Sequence, residues 1–191
     1  MKIILGSQSQ GRRQVLTDAG VEFELVRADI DEKAVRHDDY EKLPLLIAAA
    51  KADELTARLG RQDALLLTAD TVVTYKGELR EKPASEAQAR TFLASYEPET
   101  PAWVNTGIVV TNLASGKRVQ GFGKSAVFFK KIPTDVIGQA IADGYIFNCA
   151  GGFAIETELL SPYVARIEGE SSGIVGLPLS VAQRLLTEAA A

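Results

Sequence analysis

Strand and helix signals alternate along the first half of this chain, and this alternation constrains the fold more than any other feature. Residues 2–6 are a short apolar run, residues 10–19 have a helical pattern, and residues 22–27 again suggest a strand. A longer helix is predicted from 44 to 59 and an apolar strand from 64 to 68. Strands separated by helices are typical of α/β proteins. We therefore expect the N-terminal half to form βα units.

The pattern changes in the second half of the chain. Two long strand-rich segments, 102–113 and 117–130, are joined by Ala114-Ser115-Gly116, which is a plausible hairpin turn. Strands of this length favour a mixed or antiparallel sheet over a purely parallel one. Further helices are predicted to begin near Pro83, Pro133 and Pro178, and extended segments are predicted over 152–156 and 163–168.

Composition excludes several classes of protein. A chain of 191 residues with 46% hydrophobic content forms one domain, or two closely joined lobes, with a sizeable core. A net charge of -4 argues against a nucleic-acid polymer as partner, although one nucleotide needs only a local basic pocket. The single cysteine, Cys149, fits a reducing compartment. No signal peptide or membrane span is recognisable, so we expect a cytoplasmic protein without a membrane partner.

The first strand-to-helix junction has the groups that bind an anion. The hydroxyls of Ser7 and Ser9, the loop amides and a helix N-terminus all favour a negative ligand. Arg12 and Arg13 add planar guanidinium groups that fit phosphate. An ordinary βα turn with two solvated arginines is the alternative, and this segment alone does not decide between them.

Charged residues near the ends of other predicted elements are candidates for a site. Asp70 follows a buried apolar strand, where it is either a structural cap or a site residue, because α/β sites form at strand carboxyl ends. Lys51 lies on an alanine-rich helix, Lys82 precedes a helix, and Glu32 belongs to a charged loop. Taken alone, each of these three would pass as a solvated surface residue.

Several catalytic systems are missing from the sequence. His37 is the only histidine, and neither a zinc cluster nor a Ser-His-Asp triad with its nucleophile motif is present. The glycine-rich phosphate loops of the common nucleotide-binding folds are absent too. The remaining carboxylates, lysines, arginines and hydroxyls suit phosphate chemistry that depends on a divalent cation.

A series of short motifs runs along nearly the whole chain. They are the Ser7/Ser9 loop with Arg12 and Arg13, Asp31-Glu32, Lys51-Ala52, Ala69 to Val73, Glu81 to Pro83, Ala150-Gly151-Gly152 and Val175 to Pro178. In this order the motifs resemble the Maf family of nucleotide pyrophosphatases. Other stretches, such as Ala28 to Ala34, resemble a eukaryotic-looking branch of that family.

The resemblance implies a fold and a reaction. The fold would be an elongated mixed α/β sheet in two lobes with a central cleft, similar to the inosine-triphosphate pyrophosphatases. Residues 1–191 would form one such domain, a single catalytic unit. The reaction would be hydrolysis of a nucleoside triphosphate to the monophosphate and pyrophosphate, assisted by Mg²⁺ or Mn²⁺, in nucleotide-pool housecleaning. A homodimer is the expected assembly.

The resemblance also implies roles for individual residues. Asp70 would accept a proton from the attacking water, and Glu32 and Asp70 would hold the metal ion. Lys51 and Lys82 would complete the catalytic set by stabilising phosphate charge. The expected substrate-binding residues are Ser7, Ser9, Gly11, Arg12, Arg13, Thr71 and Glu156.

Two departures from the family pattern leave the base open. Gln10 and Gly11 stand where many bacterial members have a proline followed by arginine or tryptophan, and Glu156 stands at a glutamine position. We therefore expect the substrate to be either an ordinary pyrimidine nucleotide or a modified nucleotide.

Two other functions stay open beside the pyrophosphatase. One is a nucleotide-sensing regulator of cell division that acts through partners without turnover. The other is a phosphatase that releases orthophosphate. The joint presence of Asp70, Lys51 and Lys82 favours an enzyme over the regulator.

Overall fold

The structure is a computed structural model that describes residues 1–191. The strands are β1 (Lys2–Leu5), β2 (Glu24–Leu25), β3 (Ala64–Tyr75), β4 (Glu78–Arg80), β5 (Ala102–Asn112), β6 (Arg118–Phe129) and β7 (Val164–Glu168). These seven strands form one mixed sheet in the order β2-β1-β3-β5-β6-β7, and β4 pairs with β3. The helices are α1 (Gln10–Asp18), α2 (Leu43–Leu59), α3 (Glu86–Ser95), α4 (Thr134–Asp143), α5 (Ser171–Ile174) and α6 (Leu179–Ala190).

The chain divides into two compact units. The first contains Met1–Thr71, Thr106–Gly123 and Gly176–Ala191, and the second contains Val72–Asn105 and Lys124–Val175. The long strands β3, β5 and β6 contribute residues to both units.

The first unit is the βα half that the sequence predicts. β1 lies parallel to both β2 and β3, with α1 and α2 as the connections, as short parallel units require. One core cluster joins Leu5 and Leu67 of the sheet to Leu16 of α1 and Leu185 of α6. A second cluster joins the sheet to Leu55 of α2. Helices therefore cover both faces of this part of the sheet.

The alternation of side chains along β3 decides where Asp70 and Thr71 point. Leu65, Leu67 and Ala69 belong to the core cluster that contains α1 and α6. Leu66 belongs to the cluster that contains α2. Because successive strand residues face opposite sides, Asp70 faces α2 and the residue after it faces α1.

The second unit has a core of its own, formed around α3 and α4. Buried residues from these helices, from β3 and from β6 form one apolar cluster. The rings of Tyr75, Tyr96, Phe129 and Phe153 lie at its centre, with centroids 4.9–5.5 Å apart. β4 runs antiparallel to β3 and β7 antiparallel to β6. These pairs confirm the prediction of a mixed sheet.

Some predicted elements are wrong or differ in extent. No strand forms over 152–156, where two consecutive glycines turn the chain at the start of the segment, with φ of 75° at Gly151 and 68° at Gly152. The second predicted strand shrinks from 22–27 to β2. The helix expected from Pro83 begins at Glu86, after an N-cap serine.

The remaining predictions from the sequence concern membrane spans and the overall outline. No helix has both the length and the apolar character that a bilayer span requires. The elongated outline and the central cleft stay predictions.

Candidate functional site

Asp70 and Lys51 form a buried ion pair in the first unit. Lys51 Nζ lies 2.8 Å from Asp70 Oδ1. It also donates to the carbonyl oxygen of Ala69, the preceding residue of β3, at 3.4 Å. Lys51 shares a face of α2 with the buried residues Ala48 and Leu55, which explains how a lysine becomes buried against β3. The alternation of side chains in β3 and the helical periodicity of α2 thus bring Asp70 and Lys51 into one ionic contact.

Glu32 reaches the same ammonium group from the charged loop. Its Oε1 lies 2.9 Å from Lys51 Nζ, although the Glu32 side chain is 52% exposed. Glu32 begins a short 3-10 turn, whose N-cap Asp31 accepts a hydrogen bond from the Lys33 amide. One ammonium therefore lies between a buried carboxylate and an exposed one.

The electrostatics of Asp70 suit a base. Burial raises the pKa of Asp70 above its ordinary value, and the positive charges of Lys51 and Arg12 oppose that rise. Burial likewise lowers the pKa of Arg12, against the attraction of Asp70 and Glu32. A carboxylate with a raised pKa binds a proton more readily than an ordinary aspartate. Lys51 donates only to Oδ1, which leaves Oδ2 for another partner.

Arg12 connects three separate segments of the first unit. Its Nη1 donates to Ser7 Oγ at 3.0 Å, its Nη2 to Thr71 Oγ1 at 2.9 Å, and its Nε to the Gly176 carbonyl at 2.9 Å. Arg12 is only 7% exposed. A guanidinium held in this way presents its remaining N–H groups in a fixed direction.

The two serines that were predicted to bind substrate also accept hydrogen bonds from within the protein. Ser9 is the N-cap of α1, where its hydroxyl accepts from the Arg12 amide at 3.4 Å. Ser7 Oγ accepts from the Ser9 amide at 3.2 Å as well as from Arg12. Ser7 and Arg12 are therefore in contact, as the prediction of one phosphate cradle requires.

Arg13 is not part of this contact network. It lines a cavity of about 340 Å³ with residues of α1 and the β2 segment, and its buried Nε has no hydrogen-bond partner. Gly11 is half-buried on α1. The cavity-lining residues are Gln10, Arg13, Gln14, Thr17, Phe23 and Leu25.

Two predicted site residues belong to the second unit. Lys82 is exposed, in the segment between β4 and α3. Glu156 is exposed and accepts a hydrogen bond from the Tyr145 hydroxyl at 3.1 Å. Burial, with the charge of Glu156 as a smaller cause, raises the pKa of Tyr145 to about 12. The contacts that join Asp70, Lys51 and Glu32 do not include these residues.

The carboxylates of Asp70 and Glu32 fit a divalent ion that binds together with a phosphate group. No three His, Cys, Asp or Glu side chains gather closely enough to form a protein-only metal site. Asp70 and Glu32 nevertheless converge on one cation, Lys51 Nζ, which shows that two carboxylates can face a single positive charge here. Mg²⁺ commonly uses one or two carboxylates and completes its shell with phosphate oxygens and water.

Sequence reasoning missed two members of the Arg12 network. Thr106 Oγ1 lies 3.0 Å from Thr71 Oγ1, and the Gly176 carbonyl accepts from both Arg12 and Thr71. A threonine inside a long strand gives no sequence signal. Gly176 lies within the Val175 to Pro178 motif, and its φ of 104° explains why glycine is needed there.

Comparison with known proteins identifies the family. The model of the Maf-like protein family matches residues 2–189, so this chain belongs to that family. It is 38% identical to a 7-methyl-GTP pyrophosphatase of Dictyostelium discoideum, over 97% of this chain and 96% of that relative. It is 36% identical to a dTTP/UTP pyrophosphatase of Cupriavidus metallidurans, over 98% and 96%.

A solved structure also aligns with the whole chain. It is a nucleoside-triphosphatase, described as a dITP/XTP pyrophosphatase, of Mycobacterium abscessus, with 15% identity and a TM-score of 0.42 over 100% of this chain and 94% of that one. The predicted family and the predicted enzyme class, nucleotide pyrophosphatase, are confirmed by the family match and the relatives.

Proposed function

We propose that this chain hydrolyses a nucleoside triphosphate to the monophosphate and pyrophosphate, with Asp70 as the base. The observation that carries the proposal is the buried pair of Asp70 and Lys51, 2.8 Å apart and joined by Glu32. The names of the relatives, 7-methyl-GTP pyrophosphatase and dTTP/UTP pyrophosphatase, support the same reaction.

The chemistry asked of Asp70 is the transfer of one proton. Water attacks the α-phosphorus, its oxygen forms the new P–O bond, and its proton passes to Asp70. The bond between the α-phosphorus and the α–β bridging oxygen breaks, and pyrophosphate leaves with that electron pair. Lys51 holds Oδ1 of the carboxylate, so Oδ2 is the atom that would receive the proton. A positioned base of this kind contributes roughly 10²- to 10⁴-fold to a rate.

The basic residues and hydroxyls would neutralise and orient the triphosphate. Ser7, Ser9 and Arg12 are proposed as the cradle, and Thr71 fixes the direction of the Arg12 guanidinium. Lys51 would stabilise charge that develops on the phosphate oxygens, and the family resemblance adds Lys82 to this role. Phosphoryl chemistry depends mainly on such positioning and charge stabilisation.

We propose Mg²⁺ or Mn²⁺ as the cofactor, held by Glu32 and Asp70 together with phosphate oxygens. A bound ion of this type neutralises phosphate charge and lowers the pKa of water. In the free protein Lys51 supplies the positive charge to which both carboxylates bind.

The base of the nucleotide would be selected at Gly11 and Glu156. Gly11 offers no side chain, and Glu156 carries a carboxylate that accepts a hydrogen bond from Tyr145. The relatives are named for a modified purine nucleotide in one case and for pyrimidine nucleotides in the other. We further propose a cytoplasmic homodimer that removes surplus or modified nucleotides.

A substrate panel with separate product assays tests the reaction. The panel contains UTP, dTTP, CTP, ITP and 7-methyl-GTP, each with Mg²⁺ and with Mn²⁺, and both pyrophosphate and orthophosphate are quantified. The proposal expects pyrophosphate and a monophosphate in equal amounts. Orthophosphate alone would move the attack to the γ-phosphorus, and tight nucleotide binding without turnover would favour a sensing protein.

A further inference from the structure

The position of Lys82 is fixed by the contacts of the residues on either side of it rather than by contacts of its own side chain. Lys82 is exposed, whereas Arg80 before it and Pro83 after it are buried. β4, which ends at Arg80, has three residues and pairs with β3 alone. So short an edge strand gives little order to a residue beyond its end. Tertiary contacts must therefore set the position of Lys82.

The first group of contacts holds Arg80. Its guanidinium lies over the rings of Tyr75, Phe92 and Tyr96, at 4.3, 4.9 and 4.8 Å from their centroids. Its Nη1 also donates to the Phe92 carbonyl at 3.3 Å. Three rings around a buried cation fix it in one place.

The second group of contacts comes from the glycine turn, Ala150–Gly152. The Gly151 amide donates to the Glu81 carbonyl at 3.3 Å. A Cβ on Gly152 would lie 2.9 Å from Cγ of Pro83, so the turn packs directly against the proline. Positive φ at both glycines makes this close approach possible. The residues on both sides of the lysine thus contact this turn.

Tyr96 touches both groups and is bonded to the glycine turn through its side chain. Its ring packs against Arg80, and its hydroxyl donates to the Gly151 carbonyl at 2.7 Å. The ring also packs edge-on against Tyr75 and Phe153, with centroids 4.9 and 5.5 Å away. Tyr96 is only 3% exposed, so removal of its hydroxyl takes a buried hydrogen-bond partner from the Gly151 carbonyl.

We propose that Tyr96 is a positioning residue for Lys82, acting through its hydrogen bond to the glycine turn. The inference rests on the proposed function, because it takes Lys82 to act on the phosphates. Without the hydroxyl, the Gly151 carbonyl loses its partner and the turn loosens from the Glu81 carbonyl. Displacements on the order of 1 Å at a substrate-positioning residue cost up to about a hundredfold in rate.

The test compares Tyr96→Phe with Tyr75→Phe. Both substitutions remove one buried hydroxyl and keep a ring against Arg80. The Tyr75 hydroxyl bonds instead to the Ser95 carbonyl and the Glu97 amide, away from the glycine turn. Tyr96→Phe should lower kcat roughly tenfold or more. Tyr75→Phe should leave kcat within about twofold even where both variants lower the Tm.

A double-mutant cycle separates positioning from a general loss of structure. Tyr96→Phe should have little further effect on kcat in a Lys82→Met background, because the group that it positions is gone. An equal loss in both backgrounds, or an unchanged kcat in the single variant, would overturn the inference.

A second measurement does not depend on turnover. Hydrogen exchange of the Gly151 amide, which donates to the Glu81 carbonyl, should become faster in Tyr96→Phe and stay unchanged in Tyr75→Phe. Unchanged exchange in both variants would overturn the inference even if the enzyme is active. Failure of the proposed function has a different signature, since wild-type protein would then release no pyrophosphate.

Discussion

Asp70 and Thr71 are consecutive residues of β3 that bind two different cations on opposite faces of the sheet. Asp70 Oδ1 accepts from Lys51 on α2 at 2.8 Å, and Thr71 Oγ1 accepts from Arg12 on α1 at 2.9 Å. The two-residue period of a strand produces this division. One peptide bond within β3 thus links the proposed base to the proposed phosphate cradle.

Asp70→Asn should abolish most turnover while the protein stays folded. The amide keeps the shape of the side chain and can still accept from Lys51, but it cannot take a proton from water. We expect kcat to fall on the order of 10²- to 10⁴-fold. Pyrophosphate release under saturating nucleotide measures the effect. Asp53→Asn, on the same helix as Lys51 but exposed and paired with Arg118, is the control. Near-normal turnover of Asp70→Asn would remove Asp70 from the mechanism.

Arg12→Lys should weaken substrate binding more than it slows the reaction. A lysine keeps the charge but cannot donate to Ser7, Thr71 and Gly176 together. We expect KM to rise on the order of tenfold and the free energy of unfolding to fall by about 2 kcal/mol.

Steady-state kinetics and urea unfolding measure both effects of Arg12→Lys. Arg58→Lys is the matched control, because Arg58 is an exposed arginine of α2 bonded to Glu54. An unchanged KM in Arg12→Lys would contradict the cradle.

The sequence predicted the parts of the site better than it predicted their contacts. Periodicity alone predicted α2 and the first part of β3, as a strand over 64–68, whereas β3 continues through Asp70 to Tyr75. Lys51 looked like a surface residue, because only the three-dimensional packing of α2 on β3 shows that it is buried. Residues 152–156, which follow the turn of the Ala150-Gly151-Gly152 motif, were predicted as extended, because the sequence does not show the contacts of Gly151 with Glu81 and Tyr96. Local patterns do not contain such long-range contacts.

Cys149 should react slowly with alkylating reagents. Burial, followed by the charge of Glu156, raises the pKa of the Cys149 thiol from 9.0 to about 12, and Lys82 opposes the rise. At pH 8 the folded protein then holds about a thousandfold less thiolate than the unfolded chain. Because the folded state binds this proton more tightly, stability should also fall as pH rises from about 9 towards 12.

Iodoacetamide labelling from pH 7 to pH 10, with protein unfolded in urea as reference, measures the Cys149 effect. Glu156→Gln removes one charge that raises the pKa and should speed the labelling. Equal rates in folded and unfolded protein would contradict the prediction.

Lys51→Met should destabilise the protein in a pH-dependent way. The substitution leaves the buried Asp70 carboxylate without its partner, which should cost about 3 kcal/mol at neutral pH. Removing the positive charge of Lys51 also raises the pKa of Asp70 further above its ordinary value. A raised carboxylate pKa means that the folded state takes up a proton, so the stability is retained at low pH and lost as pH rises through that pKa.

Urea unfolding at pH 5 and pH 7.5 should therefore show a larger loss at the higher pH. The double variant Lys51→Met/Asp70→Asn should recover much of that loss, since the carboxylate that lacks Lys51 is then gone. Lys2→Met, which breaks an exposed pair with Glu24, should change stability by less than about 1 kcal/mol at either pH. A loss of equal size at both pH values, unrelieved by Asp70→Asn, would mean that Lys51 stabilises the fold through its packing on α2 and not through Asp70.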